Sequence, residues 1–222
     1  MSAGKRFKLN GTTIAITTAF TNVSPTDTIS AITKANPAVV TEASHGRATG
    51  DVIKITGATG MTEVNDRAFV IERIDANSYS LVDTDSSGYG TYTGSGKVEV
   101  ATFSNFCELT GYNRQGGTSP EIDATTICST AAEYEVGLPD FGTTQLDFNF
   151  APQTAIQLAI SEFYSGDSAG EQIAVRIQLP RSGGAMILIG TIQQTSESAS
   201  VNGLWKGSLT IRNTGNRYDY AN

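Results

Sequence analysis

The chain contains a single histidine, His45, in the glycine-rich turn His45-Gly46-Arg47. Catalysis by this ring would require a nucleophile and an orienting acid beside it, and we identify no such pair. We therefore interpret His45 as a turn residue whose ring hydrogen-bonds nearby backbone. On this basis we predict that the protein is not an enzyme.

Oxygen-bearing side chains alternate along Asp83-Thr84-Asp85-Ser86-Ser87-Gly88, a pattern that a hard cation such as calcium could use. An EF-hand loop would need a glutamate six residues after the glycine, where this chain has Gly94. Clusters of Asp and Ser before Gly are typical of turns. We interpret the segment as a turn and predict neither a bound metal nor a cofactor.

Glu133 and Glu135 could suggest a pair of acid–base carboxylates. Residues i and i+2 of an extended segment share one face, and we expect both side chains to be solvated on an acidic surface.

Four tyrosines could form a platform for stacking sugars, although tyrosines in β-proteins are commonly half-buried sheet residues. These are Tyr89, Tyr92, Tyr112 and Tyr134.

The charge of the chain argues against a protein that binds nucleic acid through its phosphates. Its 222 residues carry 22 acidic and 15 basic side chains, which gives a formal net charge of −7. Gripping phosphates requires a basic face, and the positive charge is concentrated only at Lys5, Arg6 and Lys8. An acidic surface is nevertheless suited to DNA that must slide past without sticking.

Cys107 and Cys128 lie far apart without metal-ligand spacing, so we expect two small buried hydrophobes in a protein made in a reducing compartment. The N-terminus has no apolar core typical of a signal peptide. No apolar run approaches the ~20 residues needed to span a bilayer. We therefore expect a soluble protein without a membrane partner, synthesised in the cytoplasm.

The pattern of hydrophobic residues predicts a mainly β protein in two interleaved parts. Residues 28–100 form a train of short strands separated by turns, which indicates a compact all-β module. After residue 101 the strands lengthen, and one amphipathic helix is predicted over residues 152–164, with Pro152 at its first position. A first strand at residues 11–20 could not bury a face alone. We therefore predict one domain from residues 1–26 and 101–222, interrupted by a domain at 27–100.

Residues 107–220 resemble the tail tube proteins of lambda-like siphophages. The resemblance rests on residues 108–112 (ELTGY), 121–126 (EIDATT) and 132–142 (AEYEVGLPDFG), followed by a strand, a short helix, a hairpin around Gly183-Gly184 and a closing strand. It implies a β-sandwich or barrel-like domain with one flanking helix. It also implies a virion protein whose hexameric rings stack into a helical polymer, the conduit for genome ejection.

The same resemblance implies which residues make contacts. The loop over residues 121–140 would join subunits and stacked rings, through Glu121, Ile122, Asp123, Tyr134, Val136, Leu138, Pro139 and Asp140. Glu133 and Glu135 are candidate acids of the lumen, where they would repel DNA. The implied partners are further copies of the chain, other tail proteins at the tube ends, and viral DNA passing without specific binding.

A second resemblance concerns residues 45–81, which begin His45-Gly46-Arg47-Ala48-Thr49-Gly50-Asp51. They look like a small β-module of phage virion proteins that is similar to the FCCH domain of ubiquitin-activating enzymes. The module implies no catalytic residues. This copy has Asp66 where related copies often have glycine.

Two other functions stay open from the sequence. The first is another virion β-protein, such as a decoration or tail-tip subunit, because the module recurs in several of these. The second is a carbohydrate- or receptor-binding module that acts through its tyrosines.

Overall fold

The computed structural model describes residues 8–21, 28–181 and 183–221. Three sequence features lie outside these ranges: the basic residues Lys5 and Arg6, the predicted domain boundary at 26/27, and Ser182 of the predicted hairpin. The fold is mainly β with one α-helix, as predicted. In chain order the elements are β1 (Thr13–Thr21), β2 (Ala31–Ile32), β3 (Ala38–Thr41), β4 (Val52–Thr56), β5 (Arg67–Arg73), β6 (Ser78–Leu81), β7 (Lys97–Asn105), β8 (Leu109–Gln115), β9 (Glu121–Asp123), β10 (Tyr134–Val136), β11 (Thr143–Asn149), α1 (Ala155–Ser165), β12 (Gln172–Gln178), β13 (Ala185–Ser198), β14 (Lys206–Asn213) and β15 (Tyr218–Tyr220).

Most strands belong to one hydrogen-bonded path, in the order β2-β3-β6-β5-β4-β7-β1-β12-β13-β14-β11-β8, with β15 paired to β13. The pairings between these strands are antiparallel. Strands β2 to β6 come from residues 27–100, here called the insert. Strands β1 and β8 to β15 come from residues before and after it, here called the outer segments.

Strand β7 connects the two parts. The sequence predicts separate strands at residues 97–100 and 103–111, but the structure has one strand over Lys97–Asn105. Its first half pairs with β4 of the insert and its second half with β1, and Val100 is in register with both Ile53 and Thr21. The insert therefore continues the sheet of the outer segments.

The helix α1 begins later than predicted. Thr154 is its N-cap, and its hydroxyl accepts a hydrogen bond from the backbone N–H of Gln157 at 3.4 Å, as capping threonines do. Pro152 lies before the helix and is not its first residue. Apolar residues at helical spacing, Ile156, Ala159, Ile160 and Phe163, are buried against the sheet, as the predicted amphipathic pattern requires.

The buried hydrophobic residues form three clusters. One lies between α1 and the sheet of the outer segments and includes Ile16, Leu146 and Ile173. A second lies within the insert and includes Ile53 and Tyr79. A third joins the two parts and consists of Val52, Ala68, Val70, Ala101, Ala174 and Ile187. The insert thus has its own core and also shares one with the outer segments.

Two local features differ from what side-chain type alone indicates. Cys107 and Cys128 are both exposed, so the prediction of two buried cysteines is wrong. Asp66 has φ of 58°. This is the left-handed region that glycine prefers and that aspartate tolerates better than most residues.

Candidate assembly interface

Residues 118–140, here called the arm, extend from the sheet as a separate two-stranded hairpin. In it β9 pairs with β10, with Tyr134 opposite Asp123, Glu135 opposite Ile122 and Val136 opposite Glu121. The base of the arm is closed by backbone hydrogen bonds from Gly137 to Pro120 (2.7 Å) and from Asp140 to Thr118 (2.9 Å). All residues of β9 and β10 are exposed, so the arm has no core of its own.

The arm exposes large apolar side chains to solvent. Leu138 is 89% exposed, Val136 76% and Tyr134 62%, and Ile122 and Ile127 are also exposed. Each cross-strand pair sets one apolar residue beside one acidic residue. A two-stranded hairpin is marginal in water without another surface to cover it, so the arm is suited to burial against a partner.

The residues that the sequence assigns to subunit contacts are brought together on this arm. Glu121, Ile122, Asp123, Tyr134, Val136, Leu138 and Pro139 are exposed. Asp140 is half-buried at the base, where its Oδ1 lies 3.0 Å from Arg212 Nη2 of β14 and accepts the backbone N–H of Gly142. Asp140 therefore fixes the arm to the sheet.

Both candidate lumen acids are exposed: Glu135 lies in β10, and Glu133 immediately precedes it. Residues 118–140 contain five acids and no Lys, Arg or His. Asp123 accepts hydrogen bonds from the side chain and the backbone N–H of Thr125, which lower the pKa of its carboxyl. The arm therefore carries concentrated negative charge together with its apolar residues.

A second apolar surface, here called the groove, lies beside α1 and was not predicted from the sequence. A cavity of about 350 Å³ is lined by Phe148 and Phe150 of the sheet side and by Leu158 and Tyr164 of the helix. The ring of Trp205 packs on Phe150 with centroids 5.2 Å apart. Leu158, Tyr164 and Trp205 are all more than 40% exposed.

The face of the sheet turned away from α1 is polar along β8, β11, β14 and the end of β13. Alternate residues of β11 (Thr143, Gln145, Asp147, Asn149) share this face with their partners in the neighbouring strands. Those partners include Asn113, Gln115, Lys206, Ser208, Thr210 and Arg212. Hydroxyl and amide groups predominate, so this face is polar but sparsely charged.

Polar contacts supplement the shared core between the insert and the outer segments. Lys54 Nζ lies 3.0 Å from Glu171 and 3.3 Å from Glu99. Burial opposes the charge of Lys54, but the ion pairs with Glu171 and Glu99 outweigh it and raise the pKa of the ammonium. Gln172 Oε1 accepts the backbone N–H of Ala68 at 2.7 Å. These contacts hold the insert in a defined orientation.

The insert also contains a buried ion pair. Glu42 and Arg47 are 1% and 5% exposed and form a bidentate pair, and Tyr79 donates its hydroxyl to Glu42 at 2.7 Å. Burial and the Glu42 carboxylate raise the pKa of Tyr79 well above its usual value, so the phenol remains a donor. The ring of His45 packs edge-on against Tyr79 at 5.0 Å.

His45 is held by backbone, as the sequence predicts. Its Nδ1 accepts the backbone N–H of Arg47 at 3.0 Å and its Nε2 lies 3.0 Å from the carbonyl oxygen of Asp75. Both ring nitrogens are therefore engaged in the turn. This geometry supports a structural role for the ring.

The other segments whose side chains could bind a metal or act in catalysis are also turns. In the Asp83–Gly88 segment, Thr84 and Ser86 point into the protein and Asp85 accepts from Ser87. Within the described ranges, no three His, Cys, Asp or Glu side chains are placed to hold a metal ion.

Sequence reasoning overlooked Gly166-Asp167-Ser168-Ala169-Gly170, which matches the Gly-x-Ser-x-Gly spacing. A nucleophile elbow leads from a strand into a helix, whereas this segment follows α1 and precedes β12.

The four tyrosines do not form one platform. Tyr89 and Tyr92 pack against the insert core, and Tyr92 donates to the carbonyl of Ile29. Tyr112 packs against the core of the outer segments, and Tyr134 lies on the arm. In the described part of the chain, no helix has the length and apolarity needed to cross a membrane.

Comparisons with known proteins support one of the two resemblances directly. Residues 35–101 match the family model of the "Ubiquitin-activating enzyme E1 FCCH domain", which covers most of the insert. No curated protein matches the chain. A solved chain from the "Tail of empty GTA particle computed with helical refinement, C6 symmetry" is similar at 15% identity and a TM-score of 0.41, over 54% of this chain and 87% of that chain.

Proposed function

We propose that this protein is a structural subunit of a phage-type tail tube that polymerises through its arm. The single observation that carries the proposal is the arm itself, a hairpin with five large exposed apolar residues and no core of its own. If the protein remained monomeric, these exposed apolar residues would promote its aggregation.

The finer features of the proposal rest on the resemblance of residues 107–220 to siphophage tail tube proteins. On that basis six copies form a ring, rings stack into a helical polymer in the virion tail, and other tail proteins bind at the tube ends. The domain division follows the same logic, with residues 1–26 and 101–222 as the tube domain and 27–100 as an inserted FCCH-like domain. The two separate hydrophobic cores support this division.

The charges on the arm and on the polar sheet face support a conduit through which DNA passes without binding. The arm has acids without bases, and the polar face of β8, β11 and β14 has few charges. Neither surface can displace many counterions from DNA, which is the main source of nonspecific affinity. We propose that the conduit lets the genome move without binding it, with Glu133 and Glu135 as candidate lumen acids.

Replacement of residues 121–137 by a Gly-Ser linker of equal length tests the proposal. We expect the wild-type protein to form rings or tubes, seen by negative-stain microscopy and sedimentation, and the variant to remain a folded monomer. A matched control replaces residues 214–217, an exposed connection before β15, with Gly-Ser of equal length. Normal tubes from the arm variant would contradict the proposal, as would a wild-type protein that stays monomeric at high concentration.

A further inference from the structure

We propose that the arm of one copy docks into the groove beside α1 of another copy. This inference rests on the proposed function and deepens it, because it names the receiving surface. It makes the contact between copies one between two different surfaces, with the arm on one side and the groove on the other.

The distribution of exposed apolar residues points to these two surfaces. Twelve large hydrophobic side chains are exposed in the described ranges. Five belong to the arm, and three lie at the groove: Leu158 and Tyr164 line it, and Trp205 packs on its Phe150. Val201 and Leu204 lie in the connection that leads to Trp205, and Leu9 and Ile74 lie elsewhere. Single exposed hydrophobics are ordinary on a protein surface, but two concentrated patches indicate binding sites.

The groove has the form of a receiving site. Phe148 and Phe150 give it an apolar floor, and Leu158 and Tyr164 form one wall. Gln153, Ser161 and Ser196 add polar groups to the lining. An apolar centre with a polar rim is the usual anatomy of a protein interface.

The arm offers a large part of the surface that a stable interface needs. At roughly 100 Å² of apolar area per fully exposed side chain, the five exposed residues of the arm present on the order of 400 Å². A stable interface takes about 800 Å² from each partner, and neighbouring polar atoms can supply the difference. The charged residue among those lining the groove is Glu197, so the contact relies on apolar burial and not on an ion pair with the acidic arm.

Docking of one surface into a different one has a consequence for assembly. When the arm of one copy fills the groove of a second, the groove of the first and the arm of the second remain free. Such a heterologous contact repeats until a ring closes, or continues as an open filament. The arrangement is therefore compatible with a polymer. Reciprocal exchange of arms between two copies would instead close a two-fold dimer, and the size of the wild-type assembly in sedimentation distinguishes the two.

Two variants test the inference when they are mixed. The arm variant has the Gly-Ser linker at residues 121–137, and the groove variant carries Leu158→Glu and Tyr164→Glu, both at exposed positions of α1. We expect each to be monomeric alone, because each lacks one of the two surfaces. Mixed together they should form a one-to-one heterodimer by sedimentation, since one intact groove can still accept one intact arm.

The possible outcomes separate the two proposals. Polymerisation by the groove variant, or a mixture that stays monomeric, would overturn the docking of arm into groove while leaving assembly through the arm intact. Failure of the wild-type protein to assemble would overturn the proposed function itself. Circular dichroism checks that each variant is folded, and Trp205→Glu provides a second groove variant outside the helix. Ile74→Glu, an exposed apolar position on the insert, is the control that should assemble normally.

Discussion

The ring of Tyr220 fills the space beside the α-carbon of Gly50, where a Cβ atom would otherwise lie. Gly50 belongs to the turn before β4 of the insert and has φ of 88°, whereas Tyr220 ends the last strand of the chain. The carbonyl oxygen of Gly50 also accepts a hydrogen bond from Arg176 Nη2 at 2.9 Å. At Gly50 the insert therefore contacts two strands of the outer segments, β15 through Tyr220 and β12 through Arg176.

We predict that Gly50→Ala lowers the free energy of unfolding by about 2–4 kcal/mol, because the new methyl group adds a clash with Tyr220 to the cost of a left-handed alanine. Gly46→Ala is the matched control. Gly46 also has a positive φ, 61°, but open space around its α-carbon. It should lose only about 1–2 kcal/mol for the backbone.

Denaturant unfolding of both variants measures the difference. Combining Gly50→Ala with Tyr220→Ala should remove the steric part of the loss. Equal losses for Gly50→Ala and Gly46→Ala would mean that Tyr220 moves aside without cost.

The buried ion pair of the insert leads to a second prediction. Glu42→Gln removes the carboxylate that faces Arg47, and breaking a buried pair costs about 3–5 kcal/mol. Tyr79→Phe removes one hydrogen bond to the same carboxylate and leaves the pair intact, so it should cost about 1–2 kcal/mol. Urea unfolding at neutral pH ranks the two variants, and a larger loss for Tyr79→Phe would contradict this account.

Strands with strict alternation were predictable from the sequence. Leu146 and Phe148 share the core face of β11 as their spacing requires. The helix was predictable from its apolar spacing, but its start was not, because the capping hydroxyl of Thr154 decides it and not the rigid φ of Pro152.

Features that depend on distant parts of the chain could not be read from the sequence. The continuity of β7 arises because β4 and β1 both pair with it. The burial of Ala174 and Ile187 against Val52 requires the folded insert. The groove likewise combines residues of α1, β11 and β13, which are separate in sequence.

Deletion of residues 28–100 should not be tolerated without repair. The insert covers Ala174 and Ile187, both fully buried, and residues 97–100 form part of β7. We predict that the plain deletion reduces soluble yield because it uncovers this apolar face. The same deletion with Ile187→Thr and Ile189→Thr should recover a soluble protein that still forms tubes.

Size-exclusion chromatography and negative-stain microscopy compare the two deletion variants. Ile187→Thr and Ile189→Thr in the full-length chain is the control, and it should be destabilised because Ile187 is buried there. Failure of the repaired deletion to fold would mean that the insert is integral to the tube domain.

The sign of the surface charge leads to the last prediction, which concerns DNA. Wild-type tubes should bind duplex DNA negligibly at physiological salt, since acidic and neutral walls release few counterions. In a hexameric ring each lysine substitution would add six cations, and even about 1 kcal/mol per screened contact would retard a moving duplex. Side chains alternate along residues 133–136, so Glu133 and Glu135 face away from the apolar Tyr134 and Val136. Tails with Glu133→Lys and Glu135→Lys should therefore assemble normally and eject DNA slowly. Gln145→Lys with Thr210→Lys places positive charge on the polar sheet face, where the two positions are paired across β11 and β14.

Slow ejection from the sheet-face variant alone would assign the lumen to that face and move Glu133 and Glu135 outside it. Binding of DNA by wild-type tubes would contradict passage without adhesion.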